Sequence, residues 1–314
     1  MEPQTIRFGD PQQHAEFLQE YRAFLIEWKI LQETVKTVML GRVINPTIKA
    51  DAEAVAHLPD DDPLVIAVED RYKANLASFI LARNAVDDFS ELLILAANGF
   101  GVGALKTLRG MYERVVTSAY VALYPEVSRA LVDNTYTQSW RVWKRAVALN
   151  PAIADLVDET DVKALEAKAA EAQVRHHESY CKKCGQLIQV YAWTKVDLAT
   201  MAKMIDDRLS ELSIGHSKLS DLYLNCYLHP TAFEHATGTS VNSRMEEEDG
   251  QWTYRMGSTS ERKQAMLFGH TLLLLLLGRQ SQHFGFDLDD LLQPRFDAYK
   301  AIWGASQATT SQSI

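Results

Sequence analysis

The stretch Ala265 to Gly278, AMLFGHTLLLLLLG, limits this chain more than any other segment. A helix made from it is apolar on every side and has no face for water. It runs for 14 residues with a histidine inside, short of the roughly 18 that suggest a membrane span. Such a helix must be surrounded by others. The segment therefore predicts a bundle built around it, and no membrane partner.

The rest of the chain can supply the surround. Phe17, Tyr21, Phe24, Leu25, Trp28 and Leu31 recur at helical spacing, as do Leu76, Phe79, Ile80, Val86 and Leu93 further on. Tyr136, Trp140, Trp143 and Val147 form another stripe. Helix starts are marked by DPQQ at Asp10, DPLV at Asp62 and NPAI at Asn150, each a cap residue followed by proline at the first helical position. STSE at Ser258 to Glu261 has the form of a capping box. Gly41, Gly99, Gly278 and Gly285 read as stops. These marks predict long helices over Asp10–Gly41, Asp62–Asn98, Gly103–Tyr124, Pro125–Leu149 and Thr160–His177. Further helices start near Asp197, Ser217, Ser258 and Asp287.

One segment breaks the helical pattern. Ser240 to Met256 alternates around Asp249-Gly250, the signal of a hairpin. The expected fold is all-α, a multi-helix bundle with one short β-hairpin or irregular insertion near 240–256. No linker divides the chain. It reads as a single α-helical domain over 1–304, with peripheral N-terminal helices in 10–60 and a flexible tail over 305–314.

Composition narrows the function classes. Hydrophobic residues are 47% and charged residues 23% of the 314, as in an ordinary globular chain. The net charge of -9, from 41 acidic and 32 basic residues, does not support RNA as a partner. The start lacks a signal-peptide pattern and there are only three cysteines, so a cytoplasmic protein with reduced thiols is expected. Partners are otherwise unknown, with a homo-oligomer as one arrangement.

Three constellations carry chemistry. In LKTLRGMYERVVTSAYVAL, Arg109 and Glu113 stand four apart on one helix face at the border of an apolar surface. They form either a structural ion pair or part of a polar site. In YLNCYLHPTAFEHATG, Leu219, Leu222, Tyr223, Cys226 and His229 follow one helical line, and Pro230 is expected to end the helix at His229. That imidazole reads as a cap, a general base or a metal ligand. In RHHESYCKKCG, Cys181 and Cys184 have half-knuckle spacing. Cys226 with His229 or His177 could complete a tetrahedral zinc site; ordinary reduced thiols are the alternative. Among the weaker signals, YTQSWRVWKRAV reads as core tryptophans with a solvated basic face rather than a phosphate patch, and NGFGVGALK as a tight interhelical turn.

The Arg109 and Tyr223–Thr231 segments, with Trp193 in AWTKVDLATMAKMI between them, resemble a bacterial family catalogued as domain of unknown function 5677. Its pattern is Arg-x3-Glu on one helix, then a tryptophan, then a helix with tyrosine, a small residue and a terminal histidine. Cys226 stands where that family more often has serine. The resemblance covers about Leu76 to Gly278. It implies an all-helical fold bringing Arg109, Glu113, Tyr223 and His229 near one another, and implies no substrate. HEPN-like helical domains are similar more distantly, and some of them cut RNA with an Arg and a His at a short fixed spacing on one helix. Arg208 and His216 lie too far apart for that, and Arg279 and His283 too close.

The expected function is a cytosolic helical binding or regulatory module with an inter-helix polar site built from Arg109, Glu113 and His229, with Tyr223 and Trp193 as binding residues. The alternative is a phosphodiester hydrolase in which Arg109 stabilises charge, His229 is base or acid, and Glu113 orients one of them.

Overall fold

The computed structural model describes residues 11–35, 51–176, 193–212, 218–235, 238–242, 245–254, 259 and 261–310. In chain order the helices are α1 (Pro11–Glu20), α2 (Arg22–Val35), α3 (Pro63–Ala97), α4 (Gly101–Leu123), α5 (Ser128–Leu149), α6 (Glu159–His176) and α7 (Leu198–Glu211). A π-turn, Leu224–Leu228, leads into α8 (His229–Glu234), followed by α9 (Gly238–Asn242). Strands β1 (Met245–Glu248) and β2 (Gln251–Tyr254) precede α10 (Arg262–Phe284) and α11 (Asp289–Thr310). The fold is all-α with one hairpin. Its strands are antiparallel, with Glu248 opposite Gln251. Asp249 and Gly250 both take positive φ, 52° and 76°, as the tight turn demands.

The chain groups its contacts into two compact units. The first gathers Met1–Ile44, Ser78–Tyr120 and Leu198–Ile314; the second gathers Asn45–Ala77 and Val121–Asp197.

In the first unit, Leu272 to Leu277 of α10 are all buried, as a helix without a wet face requires. Gly269 lets α3 approach closely: a Cβ there would stand 2.9 Å from Phe89 Cε2. Helices α1 and α2 are not peripheral. Phe17, Phe24 and Leu31 are buried, and Phe24 meets His270 edge-on at 5.3 Å. Trp303 Nε1 donates to Nδ1 of the buried His270 at 3.2 Å. Gly278 does not stop α10, which runs on to Phe284. The cost of a mid-helix glycine, about 1 kcal/mol, is small beside the apolar burial along this helix. The stop is Gly285, left-handed at φ 63°. Helix α11 continues to Thr310, beyond the expected start of the tail at 305.

In the second unit, α5 and α6 pack as a helical hairpin. Asp62 caps the start of α3 through Leu64 N at 2.8 Å, and Asn150 caps a 3-10 turn through Ala152 N at 3.2 Å. Arg141, Lys144 and Arg145 are exposed as expected, but Trp140 and Trp143 are only half-buried. Lys144 instead lays its ammonium over the Trp140 ring at 5.6 Å. The expected helix starts at Asp10 and at Ser258 to Glu261 fall wholly or partly outside the described residues.

Candidate functional site

Pro230 sets the geometry of the segment that faces Arg109. A proline inside an α-helix clashes with the carbonyl four residues back and leaves it without a donor. The expected result was a helix ending at His229. Instead the preceding turn widens: His229 N bonds to Leu224 O, a five-residue spacing. The wide turn admits the ring and the helix continues to Glu234. Thr231 Oγ1 donates to Tyr227 O at 2.6 Å, supplying a donor beside the disturbed ladder. The start of the segment is fixed by Asp206 of α7, a buried carboxylate that accepts from Leu219 N at 3.0 Å and Ser220 N at 2.9 Å.

This winding puts Tyr223 and Tyr227 on one face, stacked at 5.3 Å. Both tilt against Tyr112 of α4, at 6.3 and 6.4 Å. Tyr112 is fully buried and donates its hydroxyl to Leu219 O at 2.9 Å. Burial pushes its pKa well above the usual phenol range, so it stays a donor.

Arg109 of α4 points at the same face. Its Nε donates to Thr231 Oγ1 at 3.1 Å. Its Nη2 donates to the Tyr227 hydroxyl at 3.2 Å and meets Glu113 Oε1 at 3.2 Å. Its Nη1 pairs with Glu234 Oε2, and the guanidinium carbon lies 4.7 Å from the Tyr227 ring centre. Burial opposes its charge, but the Tyr227 hydrogen bond and the charges of Glu113 and Glu234 prevail and raise its pKa. The side chain is 20% exposed, against 41% for Glu113 and 40% for Glu234. The cluster is a clamp between two helices with an acidic outer edge.

Of the residues singled out in the sequence, Arg109 and Glu113 meet directly, and Tyr223 lies one stacking distance behind Tyr227. His229 sits about half a helical turn from Tyr227 and Thr231, on the other side of α8. There it accepts from Gln264 Nε2 of α10 at Nδ1, 3.1 Å away, and meets Phe233 edge-on at 5.2 Å. Trp193 is half-buried and belongs to the second unit. Cys226 is fully buried, and burial holds its thiol far above the ordinary range, against thiolate formation. Cys181, Cys184 and His177 lie outside the described residues. Among the described residues no group of three or more His, Cys, Asp or Glu side chains could hold a metal ion.

Three partners of Arg109 were not singled out: Tyr227, Thr231 and Glu234. Their signal was present, since Tyr223, Tyr227, Thr231 and Glu234 recur at four, four and three. That row branches at Tyr223 from the line through Cys226 and His229. No described helix is long and apolar enough to cross a membrane.

Compared with known proteins, residues 75–251, more than half of the chain, match a family model described as a family of unknown function, DUF5677. No curated protein and no solved structure matches.

Proposed function

The chain belongs to this family, DUF5677, and from that premise we propose that it is a helical binding module without hydrolytic chemistry, whose ligand contact is the outer edge of the Arg109 cluster. One observation carries the reading: all three nitrogens of the guanidinium already have partners inside the protein, two of them carboxylates. An arginine that stabilises a phosphoryl transition state must aim uncommitted donors at the developing charge. Here a phosphate would have to displace Glu113 and Glu234 and then sit beside both. One positive group against two negative ones leaves the cluster negative. The ligand that suits it carries positive charge, such as a lysine-rich or arginine-rich segment of a protein. The net charge of -9 favours the same class of partner.

The test sets this against RNA hydrolysis by Arg109, Glu113 and His229. Wild type, a Glu113→Gln/Glu234→Gln double variant and His229→Ala are titrated with an oligolysine peptide and incubated with a panel of single-stranded RNAs. The expected result is salt-sensitive peptide binding by wild type, weakened at least about tenfold in the double variant, with every RNA left intact. RNA cleaved by wild type and spared by His229→Ala would establish hydrolysis instead. Equal peptide binding by wild type and the double variant would remove the ligand from this edge.

A further inference from the structure

A cleft that shares no lining residue with the Arg109 cluster lies in the first unit. Residues of α10 and α11 line an open cleft of about 640 Å³, within the size range of small-molecule sites. Its apolar wall comprises Leu274, Leu275, Leu292 and Phe296. Three charged groups share the cleft: Arg279 from α10, and Asp289 and Asp290 from the first turn of α11.

Arg279 is the unusual member. It is half-buried, and its guanidinium bonds to the neutral Gln282 Oε1 at 3.1 Å. Among the described residues no carboxylate stands within ion-pair distance of it. Burial pulls its pKa down, and only the charge of Asp206 opposes this. A guanidinium partly removed from water gains most from a carboxylate that meets its planar fork. The two aspartates do not fill that role, although they line the same cleft. Their place in the first turn of α11 suits the helix dipole. That accounts for their presence but not for an arginine in the same cleft whose bonded partner is a neutral amide.

We infer that this cleft binds an apolar amino acid as its zwitterion. The carboxylate meets Arg279, the ammonium meets Asp289 or Asp290, and the side chain lies on the leucines and Phe296. A simple anion would meet the aspartates, and a simple cation would meet Arg279. A molecule bearing both charges satisfies both ends, and the apolar wall selects its body.

L-phenylalanine is the probe, with 3-phenylpropionate and phenethylamine as halves lacking the amine or the carboxylate. Binding to the full chain is read from the leucine methyl resonances of methyl-labelled protein. L-phenylalanine is expected to shift the methyls of Leu274, Leu275 and Leu292, and each half to bind at least about tenfold more weakly. Arg279→Gln should bind L-phenylalanine no better than wild type binds phenethylamine. Asp289→Asn/Asp290→Asn, on exposed side chains that leave the fold intact, should bind it no better than wild type binds 3-phenylpropionate. Absence of methyl shifts at about 10 mM L-phenylalanine, or affinity unchanged in either variant with the methyl spectrum still folded, overturns the inference.

Discussion

Helix α10 and the hairpin α5–α6 solve the problem of burial in opposite ways. Along α10 every residue from Leu272 to Leu277 is at most 7% exposed, and the helix meets large side chains: Phe89 at Gly269, and Phe24 and Trp303 at His270. In the second unit the buried apolar residues among those described are Ala74, Val121, Ala169 and Ala172. Its most buried charged group is Asp133 of α5, whose Oδ2 accepts from Arg175 Nη1 at 2.5 Å and His176 Nε2 at 2.7 Å. Small side chains let α5 and α6 approach closely without burying much area. One unit is held by apolar volume, the other by close backbone approach and a shared carboxylate. The difference teaches that helical content alone says little about where stability resides.

The comparison breaks most readily at Leu273. Leu273→Ala removes a fully buried side chain and should cost about 2–5 kcal/mol in chemical denaturation. The same truncation at the half-buried Leu131 of α5 should cost about 1 kcal/mol. Equal losses would erase the distinction.

Acid sharpens it next. Burial holds the pKa of His270 down at about 4, below its ordinary 6.5. The unfolded chain therefore binds more protons between these values, and stability falls as pH drops through that window. The contribution is fully present above about pH 6.5 and amounts to on the order of 3 kcal/mol. His270→Gln, which cannot take up a proton, should flatten this limb of the stability-pH curve. An unchanged acid limb in that variant would place the titrating group elsewhere.

A smaller effect than that of acid falls on the shared carboxylate. Asp133→Asn keeps the shape and removes the charge that Arg175 and His176 both use. Their side chains are 44% and 28% exposed, so water replaces part of the loss and the cost should be about 1–2 kcal/mol. Added salt should narrow the gap between wild type and this variant. No such narrowing should occur for Leu273→Ala.

The local rules in the sequence were legible wherever one residue decides the backbone. Asp62 caps its helix, Gly99 and Gly285 take positive φ, and Asp249-Gly250 turns the hairpin. The long apolar run could only be an inner helix. The structure departs from the local rules where tertiary packing overrides them. Gly278 is held inside α10 by the burial on both sides of it, and Pro230 is absorbed by a wider turn rather than obeyed. Trp140 and Trp143 have the spacing of a core stripe, yet both are only half-buried, and Lys144 covers the Trp140 ring. At the candidate site, Arg109 and Glu113 were readable because they lie four apart. Thr231 is 122 residues from Arg109, and only the folded chain decides which side of α8 faces it.

The π-turn at Leu224–Leu228 has a further consequence. Such a turn is an ordinary helix carrying one surplus residue. Winding the same residues as regular α-helix, with none removed, would rotate everything downstream by about 100°. Thr231 and Glu234 would swing off Arg109 together, and His229 would swing off Gln264. The contacts on both sides of this short helix therefore depend on the width of the turn before it as well as on their side chains.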